Sequence, residues 1–323
     1  MSYSLIWAGK KRLDKSEVKS LHKYMRSIGF KNLTNRKELQ KLLTDVIIEG
    51  TERSYTSNGE DTLLAEFCRD FTEVIEGSKD NSIGIAVCGE FDNDDKFTYD
   101  YYFPYLRGNN ISSEEDVTIE RHAAQESYAG VCDDVKVGVS LIFYLQNMIP
   151  YIKIRDSKRL PVRGTTLTLS ALSVQGKIMM PIIKNEKDKN MIKKVSKNRN
   201  SLIDAARRGD EDAIESLTLE DMDTYTTISR KIQKEDVFTL VDTYFMPYGV
   251  ECDHYSVLGE ILDCNKVTNR LTFEEIYLMT ISCNDLNFDV CINAEDLYGE
   301  PQVGRRFKGS IWMQGYVNFP DGN

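Results

Sequence analysis

Residues 82–106, "SIGIAVCGEFDNDDKFTYDYYFPYL", leave the chain little freedom. An apolar run leads into an acidic turn at 92–95, and aromatics then fall on every second position: Phe97, Tyr99, Tyr101 and Phe103. A period of two is a strand period, so the stretch predicts an antiparallel β-hairpin. "TTLTLSALSVQGKIMMPI" predicts a second hairpin with Gln175 and Gly176 at the bend. Between them "VGVSLIFYLQNM" predicts a buried helix, and "DTLLAEFCRDFTEVIEG" fits either a helix or a strand.

Upstream the period changes. In "SEVKSLHKYMRSIGF", Val18, Leu21, Met25 and Ile28 recur at helical spacing, with Ser16 able to cap the start and Gly29 to end it. "TNRKELQKLLTDVIIEG" repeats the design, with Thr34 as cap, a stripe of Leu39, Leu42, Leu43, Val46 and Ile47, and Gly50 as terminator.

A helical middle follows 184–200. "SLIDAARRGDEDAIESL" resembles one ankyrin-type helix pair, with Ala205, Ala206, Ile214 and Leu217 inward and Gly209 at the turn. It occurs once, and an array needs about three units to bury a core, so a local helical hairpin is expected. "LEDMDTYTTISRKI" continues as helix up to a turn at "MPYG". Beyond Tyr255, "YSVLGEIL", "IYLMTISC", "FDVCINAEDL" and "RRFKGSIWMQGYVNF" predict short strands bounded by turn residues. The expected fold class is therefore α+β. An N-terminal α+β domain with antiparallel hairpins (1–183) is followed by a basic loop (184–200), a helical connector (201–250) and a small C-terminal β-barrel, OB-like, or sandwich (251–323).

The 323 residues, 41% of them hydrophobic, are enough for about two packed domains. The longest apolar stretch, "VGVSLIFYLQNMIPYI", is broken by Gln146, Asn147 and Pro150 and falls short of the roughly 20 residues that cross a bilayer. "MSYSLIWAGKKRLDK" puts its apolar run before its charges, unlike a secretory signal. A cytoplasmic protein without membrane contact is expected. Seven cysteines with no CxxC pair predict free thiols rather than a disulfide framework or a zinc ribbon.

The net charge of −10 is uneven: residues 1–50 carry +6, 184–200 carry +5, and the remainder carries −21. An acidic body with two small basic segments argues against a duplex-DNA binder.

Several runs carry a resemblance: "HKYMRSIGF", "GIAVCGEFD", "YYFPYLRG", "ERHAAQESYAGVCDDVKVGVSLIFYLQN", "ARRGDEDAIESLTLEDMDTYTTISR", "DTYFMPYGVECDHYSVLGEI" and "GRRFKGSIWMQGYVNF". They resemble an uncharacterised clostridial family, domain of unknown function three-eight-eight-one, from His22 to about Phe319. The resemblance implies a bacterial cytoplasmic origin, makes the first twenty residues look like an extension, and brings no reaction or ligand.

Two constellations could carry chemistry. In "EEDVTIERHAAQESYAGVCDD", a helix would bring Glu115, His122 and Glu126 near one face, and His122 could serve as base to a nucleophilic Cys132. Asp133 and Asp134 oppose a thiolate there and are better placed as helix caps, and neither HExxH nor ExxH occurs in this stretch. The bland reading is a polar connection. In "GRRFKGSIWMQGYVNF", Arg305, Arg306 and Lys308 alternate with Phe307 and Trp312, which in a barrel could hold single-stranded nucleic acid. The alternative puts Phe307, Ile311 and Trp312 in the barrel core, and the neighbouring "CNDLNFDVCINAEDLYGE" is acidic. Walker, GxGxxG and GxSxG patterns are missing, and neither metal nor cofactor is expected. The expected role is a non-enzymatic binding or regulatory module for an unknown protein or small-molecule partner, with the cleft between the domains as site. Its alternatives are a hydrolase using His122, Glu126 and Cys132, and a weak single-strand binder.

Overall fold

The computed structural model describes residues 21–57, 62–72, 81–122, 127–134, 140–160, 162, 164–181, 198–199, 201–232 and 241–320. Two sheets dominate, with few helices, an α+β architecture.

The smaller sheet is an antiparallel meander, β1 (Glu52–Ser57), β2 (Leu63–Asp70), β3 (Ser82–Phe91) and β4 (Phe97–Arg107). The expected hairpin is β3–β4. The ambiguous stretch before it supplies β2. α1 (Arg36–Glu49) packs on β2 and β3 through Leu39, Leu42, Leu43, Val46 and Ile47. Its cap is Asn35, whose side chain accepts the Lys37 N–H, and not Thr34. The helix expected from Ser16 is, among the described residues, a 3₁₀ turn η1 (Lys23–Ile28) capped by His22 and stopped by Gly29 at φ 91; Ser16 and Val18 lie outside the described residues.

The larger sheet contains β5 (Val117–Arg121), β6 (Tyr128–Cys132), β7 (Leu141–Leu145), β8 (Thr166–Met179), β9 (Tyr244–Pro247), β10 (His254–Thr268), β11 (Glu275–Cys283), β12 (Leu286–Asn293), β13 (Leu297–Tyr298) and β14 (Arg306–Asn318). Within it β8, β12, β11, β10 and β14 close on themselves, because β14 pairs with β8 as well as with β10. The result is a five-stranded barrel, with the β8–β12 contact parallel and the others antiparallel. Leu169, Tyr255, Val257, Met279, Ile281, Phe288, Val290, Phe307, Ile311 and Met313 are buried in its cluster.

Four expectations are corrected here. Residues 165–181 make no hairpin: β8 runs unbroken through Gln175 and Gly176. Gly176 is there for space, since a Cβ would lie 2.5 Å from the Phe307 ring. The described part of "VGVSLIFYLQNM", from residue 140, is not the expected helix: its aromatic core is strand β7 paired with β6, and α2 (Met148–Asp156) begins only after Asn147. "VTIER" is strand rather than helix, so Glu115 and His122 share no helical face; Glu126 lies outside the described residues. In the helical middle, α3 (201–207) and α4 (Glu211–Ile232) flank Gly209 at φ 88, but Ile214 is exposed and Ala213 is the buried residue. The barrel also draws β8 from residues 1–183 and its other staves from 251–323, so one sheet joins both stretches.

The free edge of β4 is not left bare. Gln146 Nε2 donates to Leu106 O at 2.9 Å, Gln314 Nε2 to Pro104 O at 2.8 Å, and the two amides bond each other at 2.8 Å. Ser170 Oγ donates to the same Leu106 carbonyl at 2.5 Å. Buried backbone groups without a ladder partner need such substitutes, and these side chains fasten the meander to the barrel. η1 contacts β4, β8 and β12 and fills the space between them.

Candidate functional site: three histidines and a buried tryptophan

β14 changes neighbours at Trp312. His254, the first residue of β10, stands opposite Trp312, and β7 takes over at Gln314, opposite Tyr144. At this seam the chain's three histidines approach one aromatic cluster. The rings of His22, Tyr24 and Tyr144 lie 4.8, 5.4 and 5.2 Å from that of Trp312, with Tyr24 stacked. His254 is 5.6 Å from Tyr24, and His122 stacks on Tyr144 at 6.3 Å. Tyr24, Tyr102, Tyr144 and Trp312 are buried, whereas His22, His122, Asp253 and His254 are half-buried at the rim.

Asp253 organises the polar side. Its Oδ1 sits 2.8 Å from His254 Nδ1 and its Oδ2 accepts Trp312 Nε1–H at 2.7 Å. Burial works to raise this carboxyl, but the bonds from His254 and Trp312 outweigh it and hold it below the ordinary value. With Nδ1 turned to Asp253, His254 presents Nε2 as its free position, and that buried atom has no hydrogen-bond partner. His22 Nδ1 accepts the Tyr24 N–H at 3.4 Å, and the His22 backbone N–H donates to Tyr102 Oη at 2.7 Å. Burial, reinforced by Lys23 and His254, pushes His22 down to about 4.

A second polar cluster lies on the meander side of Tyr144. Glu66 is buried, with Cys68 Sγ and Cys88 Sγ each 3.8 Å from one of its oxygens. Burial pushes Glu66 up to about 7, against the opposing pull of Arg107. Tyr101 bonds both Cys88 and Tyr144, linking the two clusters.

The family model for DUF3881, described as a domain of unknown function named from E. rectale, matches residues 25–315. The chain belongs to the DUF3881 family. No curated protein and no solved structure matches it. In this DUF3881 chain the match contains Tyr144, Asp253, His254 and Trp312, and starts just after Tyr24.

The expected site residues are dispersed differently from either constellation. Cys132 pairs with Leu141 and Tyr144 with Ala129, three positions along β7, so they point to opposite faces; His122 lies on the Tyr144 face, with the sheet between it and the sulfur. Cys132 is fully buried, its Sγ 3.8 Å from Ser113 Oγ, and burial pushes its thiol up to about 11. That is the reverse of an activated nucleophile. Arg306 is buried, donating to the carbonyls of Met180, Val241 and Asp242 at 3.0, 2.9 and 3.3 Å. Arg305 donates to Glu300 O at 2.7 Å, and Lys308 stands opposite Lys177. Phe307 and Ile311 do fill the barrel, but Trp312 is outside it, in the cluster shared with η1 and the meander.

Asp253, His254, His22 and Tyr24 are the residues sequence reasoning missed. Their proximity depends on the β10–β14 register, which no local pattern announces. All seven cysteines are free thiols. Among the described residues no group of three or more His, Cys, Asp or Glu could hold a metal ion, and no helix is long and apolar enough to cross a membrane.

Proposed function

We propose that this DUF3881 protein is a non-enzymatic binding or regulatory module that recognises a small planar ligand at the Trp312 seam, between meander and barrel. The observation that carries the reading is His254 Nε2, buried and unpartnered while Asp253 fixes the other ring nitrogen. A buried polar atom left unsatisfied costs about 1–3 kcal/mol, which a ligand donating an N–H or O–H would recover. His22, half-buried at the rim beside Trp312, supplies a ring face on which such a ligand can stack. Binding is favoured over hydrolysis because the nucleophile expected from sequence lies across the sheet from His122.

Titration of the full chain, carrying ¹⁵N-histidine, with adenosine, guanosine, cytidine, uridine and indole tests the proposal. At least one probe should shift the His254 Nε2 resonance saturably, and His254→Gln should remove that binding while keeping the fold. If no probe perturbs His254 in folded protein, the reading fails.

A further inference from the structure

η1 is held at its two ends by different means. Its C-terminal end is tied to the barrel by directional bonds: Ser27 Oγ donates to Ser173 O at 2.8 Å, Asn269 Nδ2 to Ile28 O at 2.7 Å, and Thr272 Oγ1 to Gly29 O at 2.6 Å. Arg26 is ion-paired with Asp296, its Nε donating at 2.6 Å. The same buried cluster contains Leu172, Ile276, Leu278 and Cys291 of the barrel. The N-terminal end depends on His22, which caps the turn through Nδ1 and rests on Trp312.

The groups facing His22 offer its cation poor company. Lys23 and Tyr24 come from η1, Tyr102 from β4, and Asp253 and His254 from the start of β10, with Glu251 acting on Tyr24. Asp253 is the carboxylate among those beside His22, and its oxygens already accept from His254 and Trp312. The Trp312 ring would attract an imidazolium, but a proton on Nδ1 abolishes the acceptor that caps the turn.

We propose that His22 is the trigger of an acid-operated latch, whose protonation frees η1 from the barrel face while both sheets stay folded. The latched form resists the proton, since burial with Lys23 and His254 brings His22 to about 4, against 6.5 for the released side chain. The released state therefore binds more protons between those values. Latching is complete above about 6.5, weakens as pH falls, and loses the whole contribution near 4. At pH 5 the two values imply about a 30-fold loss in the latching constant. The latch does not rest on the ligand proposal, and its test contains no ligand.

Hydrogen exchange of the full chain, corrected for intrinsic rates, should show protection of the 23–30 amides falling about 30-fold from pH 7.5 to 5.0. Amides of β11 and β12 should hold. His22→Gln, which keeps an acceptor for the Tyr24 amide, should abolish the pH dependence, and Asp296→Asn should loosen η1 equally at both pH values. A direct NMR titration of His22 in the unaltered chain gives a second reading independent of any variant. Unchanged η1 protection, simultaneous loss in the barrel, persistence of the effect in His22→Gln, or a His22 midpoint at or above 6.5 would each overturn the latch.

Discussion

Around Trp312 the chain's three histidines gather half-buried at the rim, and around Glu66 the central group is a buried acid; Tyr144 and Tyr101 lie between. Desolvation acts on both and favours the uncharged form. It therefore pushes His22 down to about 4 and Glu66 up to about 7. The clusters differ in what opposes it. Asp253 has strong donors in His254 and Trp312 and remains a carboxylate, whereas Glu66 has two thiols, weak donors that do little to hold a charge. The histidine cluster is open at its rim, while the glutamate cluster is enclosed. Packing is therefore sensitive to acid at the first and to alkali at the second.

The largest effect should come from removing the ring that organises the histidine side. Trp312→Ala deletes contacts with His22, Tyr24 and Tyr144 and leaves Asp253 one donor short. A loss of about 3–5 kcal/mol is expected in urea unfolding. A loss below about 1 kcal/mol would mean that the seam is loosely packed and that the contrast with Glu66 is false.

Glu66→Gln tests the enclosed side, and its effect depends on pH. The folded protein keeps the Glu66 proton up to about 7, whereas the unfolded chain releases it near 4.5. Between those values the folded state binds more protons, so the contribution is full below 4.5 and is lost as pH rises through 7. Above pH 8 the charged carboxylate costs up to about 3 kcal/mol, which Gln removes. Urea midpoints should show Glu66→Gln within about 1 kcal/mol of the unaltered chain at pH 4.5 and clearly more stable at pH 8.5. His22 has the opposite sign, so His22→Gln should flatten the acid limb and leave the alkaline limb alone. Identical pH slopes with and without Glu66 would show that the carboxyl is solvated.

Local chemistry made some of this legible and long-range register hid the rest. The β3–β4 hairpin could be read because its turn and its alternating aromatics are adjacent in the chain. The barrel could be anticipated from the strands after Tyr255, but not its β8 stave, because Gln175–Gly176 imitates a turn. The reason for that glycine, the Phe307 ring, lies far along the chain. The position of Trp312 was available in principle: Ile311 and Trp312 are consecutive, so a strand cannot turn both into the barrel. The histidine cluster was not available. His22 falls within the helix expected over "SEVKSLHKYMRSIGF", His254 just before the strands expected from Tyr255, and only the pairing of His254 with Trp312 brings them together.

The smallest expected effect concerns His122, which settles whether the three histidines act as one unit. Its Nδ1 lies 2.7 Å from Ser127 Oγ, and its ring stacks on Tyr144 rather than on Trp312. His122→Ala would remove both contacts. It would leave the backbone bond from His122 N to Ser127 O at 2.8 Å, and the Arg121–Tyr128 pairing beside it. A side-chain hydrogen bond contributes about 0.5–1.5 kcal/mol and an aromatic contact about as much, while solvent at the half-buried rim replaces part of each. The expected cost is therefore about 1 kcal/mol in urea unfolding, with η1 exchange at pH 5.0 unchanged. A cost of about 3 kcal/mol or more, or a shift in the pH dependence of η1, would show coupling through Tyr144 and Trp312 to His22. The rim histidine would then belong to the latch.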